Sequence, residues 1–173
     1  MLSTFIAIIA FVTIIVLWAI STQHKLVILD ENVNNAMSQI GVQLSSRFDA
    51  LLTLLELTKY YAKHESEALI ETTKSGRSMI TAKSEPDDIL DQECIILEVL
   101  ERITIITKKY PELKENQKNI KAINAVEVFE CMVRTSCLIY NDSVEKLNRE
   151  IRKFPVSMIA GMLGFRKREY LER

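Results

Sequence analysis

The sequence predicts an all-α fold: an up-and-down antiparallel bundle of three long helices plus a short C-terminal one, behind an N-terminal transmembrane helix. Three observations predict it. The chain opens on one uncharged apolar run, Leu2 to Ile20, and about 18 such residues suffice to cross a bilayer as a helix. Beyond it, apolar residues recur at steps of three and four, the spacing that keeps side chains on one helical face. Gly and Pro number only four and three in 173 residues, whereas a sandwich or barrel needs turn residues every 8–12 positions.

The opening run is interrupted only by Ser3, Thr4 and Thr13, and Trp18 lies near its end, where an indole suits the headgroup boundary. The expected division is 1–21 as anchor and 22–173 as bundle domain. A cleaved signal peptide is the competing reading, with Ala19-Ile20-Ser21 as its cleavage site. It lacks a basic n-region, and the apolar core is longer than a signal needs. Hence the expectation is a single-pass cell-membrane protein, touching the bilayer through 2–20. His24 and Lys25 directly after the run, with no basic residue before it, lean the domain toward the cytoplasm.

The first amphipathic helix follows the anchor without a break. Leu26, Leu29, Val33, Met37, Ile40, Leu44, Phe48, Leu51, Leu55 and Thr58 form its stripe. No Pro lies between Met1 and Ser84, so anchor and helix form one rod. The pattern fades past Tyr61, and Ser75-Gly76 marks a terminus. Residues 76–87 are a loop, with Ser84 or Asp87 as the next cap. The second helix is expected over 88–108, burying Ile89, Cys94 or Ile96, Leu97, Leu100, Ile103 and Ile106. Tyr110-Pro111 ends it, because the residue before Pro is pushed out of helical geometry. The third helix is expected over 114–153, with Val126, Phe129, Val133, Ser136 or Cys137, Tyr140, Val144, Leu147, Ile151 and Phe154 inside. Pro155 ends it. The short helix is expected within 156–165. Long helices joined by short connections bury their stripes against one another as an up-and-down bundle with coiled-coil-like packing.

Particular residues add a family resemblance. In order along the chain come Lys25-Leu26-Val27, Ala36-Met37-Ser38-Gln39-Ile40, Val42-Gln43-Leu44, Arg47 with Asp49, and Tyr61-Ala62-Lys63-His64-Glu65. Then follow Tyr110-Pro111-Glu112-Leu113-Lys114, Tyr140-Asn141-Asp142 with Val144 and Asn148, Phe154-Pro155, and Gly164-Phe165 with Lys167 and Tyr170. Over nearly its whole length the chain resembles the LemA family of bacterial membrane-anchored helical proteins. The resemblance implies a bromodomain-like four-helix arrangement and an anchor. It supplies no reaction, cofactor or catalytic residue. The chain departs from the family pattern at Gly41, Ser45, Ser46, Leu52 and Thr53. Met132 stands where an Arg is common, which implies that a buried ion pair on the third helix is missing.

Candidate chemistry is sparse. His64-Glu65-Ser66-Glu67-Ala68 has Ala68 where a zinc protease needs its second His, and His64 reads as a polar helix residue. Bundle di-metal sites use Glu-x-x-His, which the chain lacks. Asp91, Gln92, Glu93 and Glu130 read as solvated or capping, and Arg47 with Asp49 as a surface pair. Cys94, Cys131 and Cys137 show no paired spacing and read as buried or half-buried apolar residues. No catalytic residue, metal site or cofactor is expected. A net charge of −1 gives no long-range attraction for nucleic acid. The segment with most to offer is the tail, where Phe165, Arg166, Lys167 and Arg168 are candidate membrane or partner contacts, with Lys153 and Arg173 also basic. Apolar residues in the interface and basic ones against anionic lipid would bind a membrane surface; alternatively, the tail closes the bundle with its basic end solvated. The expected function is a membrane-anchored scaffold or adaptor with a protein partner. Membrane-surface binding through the basic tail is the alternative, and an enzyme with an unrecognised site is the third reading.

Overall fold

The computed structural model describes residues 2–172, with side chains from Thr4 onward. The described residues form six helices: α1 (Leu2–Thr58), α2 (Lys63–Gly76), α3 (Pro86–Lys109), α4 (Glu112–Glu115), α5 (Gln117–Arg152) and α6 (Val156–Met162). No strand occurs among them. The all-α prediction holds, but the long elements are divided differently.

Helix α1 runs unbroken for 57 residues, about 85 Å at 1.5 Å per residue. Its first part, Thr4 to Trp18, is exposed throughout. From Ala19 onward one face is progressively covered: Thr22, Leu26, Val33, Met37, Ile40, Leu44, Leu51, Leu54 and Thr58 are buried. The chain then reverses at Lys59–Ala62, where the Ala62 amide donates to the Thr58 carbonyl, and α2 returns along α1. Its inward residues are Ser66, Leu69, Ile70 and Thr73. The sequence reading joined α2 to the fading end of the first helix. No Gly or Pro marks the turn, and the inward residues of α2 are partly small and polar, so neither turn residues nor hydrophobicity announced it.

Helix α3 begins two residues earlier than expected because its cap is neither Ser84 nor Asp87. Glu85 is the cap residue, its amide donating to the Asp88 carboxylate at 2.9 Å, with Pro86 in the first turn. Its buried face is Ile89, Gln92, Glu93, Ile96, Val99, Ile103 and Ile106. Cys94 and Leu97 point outward and Leu100 is half-buried. The expected stripe was therefore partly wrong: regular spacing from Ile96 to Ile103 selects Val99, not its larger leucine neighbours. The single-turn α4 precedes α5, whose start is capped by Asn116 accepting from the Lys118 amide at 3.0 Å.

Helix α5 runs antiparallel to α1 and is its principal partner. Its stripe follows the prediction from Val126 to Ile151, except that Phe129 is half-buried; beyond it, Phe154 is exposed. Cys137 is buried, but Cys94 and Cys131 are exposed, contrary to the expectation. Where α1 first becomes covered, Glu150 accepts from Lys25 at 2.8 Å and from Lys153 at 2.7 Å.

These two ammonium groups, Lys153 first, hold the Glu150 carboxyl below its ordinary range. A depressed folded-state pKa stabilises the fold fully above the unfolded value, and the contribution disappears as pH falls through the folded one. Glu150→Gln should therefore lower stability at neutral pH. The difference from the parent should shrink as pH falls below about 4.3, as urea unfolding across an acid series would measure.

Candidate functional site

Arg47 lies at the centre of the bundle with no exposed surface. It was expected at the surface beside Asp49. Instead, its Nη1 donates to Glu93 of α3 at 2.7 Å and its Nη2 to Glu130 of α5 at 3.1 Å. Glu93 is buried and Glu130 half-buried, correcting the reading of both as solvated or capping groups. Glu130 also accepts from Arg134 at 3.4 Å. Two guanidinium groups thus face two carboxylates across three helices. The bundle therefore does hold a buried ion pair, with its guanidinium on α1. Arg47 Nε lacks a hydrogen-bond partner, so the pairing is good but incomplete.

Asp49 is exposed and pairs with Arg77 at 2.6 Å, while Arg77 also donates to Ser45 at 2.5 Å. This links two departures from the family pattern. The segment after α2 crosses α1 at Gly41, where a Cβ would lie 2.5 Å from the Ile80 carbonyl oxygen. Glycine is required there by close backbone approach. Ser45 is short enough to leave room for Arg77, which arrives from the crossing segment. Gln92, buried on α3, ties down the same segment by donating to Ser78 at 2.8 Å.

The tail residues are brought onto the bundle. After α6, Gly164 adopts φ +80°, and the chain returns along α5 as an extended strap. Asn148 donates to the Arg168 carbonyl at 2.8 Å and accepts from its amide at 2.9 Å. Asn141 does the same with Leu171, at 3.0 and 2.8 Å. The spacing explains the match. Seven helical residues rise about 10.5 Å, and three extended residues span about 10 Å. Tyr140 donates to the Glu169 carbonyl at 3.0 Å, and burial pushes its phenol pKa up. Leu171 is buried, and Phe165 packs against the core. Arg168 reaches Asp30 of α1 at 3.0 Å. Of the four candidate contacts, Arg166, Lys167 and Arg168 are exposed, Arg168 while paired with Asp30, and Phe165 packs against the core. Arg173 lies outside the described residues.

A model of the LemA family matches residues 36–173. The chain belongs to the LemA family. No curated protein matches it. Much of the family resemblance now has a physical meaning in this LemA-family chain. Tyr140, Asn141 and Asn148 fasten the strap, Tyr110-Pro111 turns α3 into α4, and Arg47 joins three helices.

A shallow groove between α1 and α5 remains open on the bundle surface. Gln39 and Gln43 form one wall; Val128, Cys131, Met132, Ser136 and Ile139 line the other. Val128, Met132 and Ile139 are exposed. Sequence reading missed it, because these residues form a second, weaker stripe beside the buried one. His64 is exposed in the first turn of α2. Among the described residues, no group of three or more His, Cys, Asp and Glu side chains is arranged to hold a metal ion.

Two predictions follow from these contacts. Arg47→Met leaves Glu93 without its guanidinium partner in the interior and should cost about 3–5 kcal/mol. Adding Glu93→Leu and Glu130→Gln should recover most of the loss, as chemical unfolding would show. Asn148→Ala should speed hydrogen exchange at the Arg168 amide, and Asn141→Ala at the Leu171 amide, each by roughly tenfold for a bond worth about 1.4 kcal/mol, with exchange in the α5 core unchanged.

Proposed function

We propose that this LemA-family protein is a membrane-anchored scaffold or adaptor. In this reading residues 2–20 span the bilayer and the bundle stands on the cytoplasmic side. The observation that carries it is α1 itself. One uninterrupted helix is exposed and apolar over its first part, with a mean hydropathy of 2.6 in its richest window, and becomes a bundle helix after Ala19. Such a long apolar N-terminal helix is compatible with a single-pass anchor. A helix entering a bundle without a hinge fixes the height and facing of the domain above the membrane, which suits presentation of a surface to a partner. Basic residues directly after the apolar run support the cytoplasmic side.

The α1–α5 groove supports the adaptor part of the reading. Its α5 wall carries Val128, Met132 and Ile139 at steps of four and seven, with Glu127 and Thr135 beside them and the amides of Gln39 and Gln43 opposite. An amphipathic helix from a partner protein matches that pattern, its apolar face meeting the stripe as a bundle helix would.

The native cysteines test both parts. Cys131 lines the groove, Cys94 lies on α3 outside it, and both are exposed. A membrane-impermeant maleimide should label neither in intact cells. After permeabilisation of native membranes Cys94 should react, while Cys131 should stay protected until the protein is purified. Labelling in intact cells would place the domain outside. Equal reactivity of the two cysteines in native membranes and in purified protein would remove the groove as the partner site.

A further inference from the structure

The anchor end of the bundle presents a second surface. Helix α5 ends at Arg152, two residues beyond Glu150, which is held by Lys25 of α1. Helix α6 follows and packs against both α1 and α5. It therefore sits near the level at which α1 first becomes covered, around Ala19, Thr22 and Leu26. The apolar run ends at Ile20, and Ile20 to Leu26 is about 9 Å of helix. This is comparable with the depth of about 5–10 Å over which an interfacial helix buries its apolar face.

What α6 exposes suits that level. Val156 and Ala160 turn inward and are buried, while Met158 is 64% and Met162 88% exposed, with Phe154 82% and Leu163 44% exposed on either side. Along the chain, the charge of this segment has one sign. Residues 151–168 contain Arg152, Lys153, Arg166, Lys167 and Arg168 and no Asp or Glu. Arg168 is engaged by Asp30, Lys153 reaches Glu150, and Arg152 and Lys167 share a groove with Asp87, Glu169 and Glu172; Arg152, Lys153, Arg166, Lys167 and Arg168 are all exposed. An apolar cluster flanked in sequence by exposed cations, beside the helix that leaves the apolar run, complements the headgroup layer of an anionic bilayer.

We propose that α6 is an in-plane foot of the domain: Phe154, Met158, Met162 and Leu163 enter the interfacial layer beside the anchor, and Arg152, Lys153, Arg166 and Lys167 meet anionic lipid headgroups. The proposal rests on the reading of residues 2–20 as a bilayer span. It shifts the membrane contact from the tail as a whole to α6 and its flanks, because Phe165 and Arg168 are occupied in holding the strap to the bundle. The foot gives the domain a second point of attachment, so that it stands on the surface in a fixed orientation.

Trp18 is the single tryptophan of the chain, which permits a depth measurement on the full-length protein. Three forms are reconstituted into phosphatidylcholine–phosphatidylglycerol vesicles carrying bromine high on the acyl chains: the parent, Trp18→Phe with Met162→Trp, and Trp18→Phe with Gln117→Trp. Met162 is largely exposed, so the exchange leaves the core untouched, and Gln117 begins α5 at the opposite end of the bundle. Bromine should quench the indole at 18 and at 162, and leave the one at 117 unaffected. Quenching at 18 without quenching at 162 would overturn the foot and leave the anchor standing. Loss of quenching at both would overturn the anchor reading and the foot with it. Quenching at 162 that is no weaker in pure phosphatidylcholine would overturn the role given to the basic residues.

Discussion

The burial of one guanidinium constrains the middle of this molecule. Arg47 projects from the longest helix into a space enclosed by α3 and α5, and its cost of desolvation is offset only if carboxylates arrive from both. Glu93 and Glu130 do so at hydrogen-bond distance. Apolar packing alone tolerates sliding, since leucine on leucine is nearly as good one turn along. A planar, forked cation with two partners is far less tolerant of a shift. The triad thus acts on register: α3 and α5 meet α1 at one axial position. The crossing segment adds to this constraint, since Gly41 admits Ile80 at a single close approach and Arg77 clasps Ser45 and Asp49 a turn or two further on.

The bundle was legible in the sequence because its seams keep heptad spacing. In α1 the buried positions 33, 37, 40, 44, 47, 51, 54 and 58 alternate steps of four and three. That regularity also held the clue to Arg47. It occupies a seam position between Leu44 and Leu51; reading by hydrophobicity took Phe48, which is also buried, and passed over Arg47. The same habit placed Leu97 and Leu100 inside α3 instead of Val99. Spacing outweighs residue type wherever a seam carries a polar group, and the polar groups here are the ones that bring different helices together. The turn between α1 and α2 was illegible for another reason. It contains no glycine or proline, and the need to reverse comes from tertiary packing of Ser66, Leu69 and Thr73 against α1, which no local signal encodes.

The tail combines both kinds of information. Its composition pointed to basic and apolar function, whereas much of what it does is decided by backbone hydrogen bonding. Asn141 and Asn148 each satisfy both polar groups of one strap residue, as a neighbouring β-strand would, although they project from a helix. Composition alone could not single out Arg168, which is exposed like Arg166 and Lys167 but tied to Asp30. The separation comes from the distance match between two turns of helix and three extended residues.

This division of labour bears on how the domain relates to α1. The strap draws the last described residues along α5, away from α6, and Gly164 with its positive φ lets the chain leave α6 and turn back. Helix α6 is thereby held at the end of the bundle between two fixed segments, α5 before it and the strap after it. A seven-residue helix would be marginal alone. Here Val156 and Ala160 hold it to the bundle while Met158 and Met162 stay outward. A rigid rod, a registered bundle and a clamped terminal helix leave few internal hinges among the described helices. Motion of such a domain is then chiefly tilt of α1 as a whole, and any surface that α6 touches resists that tilt directly.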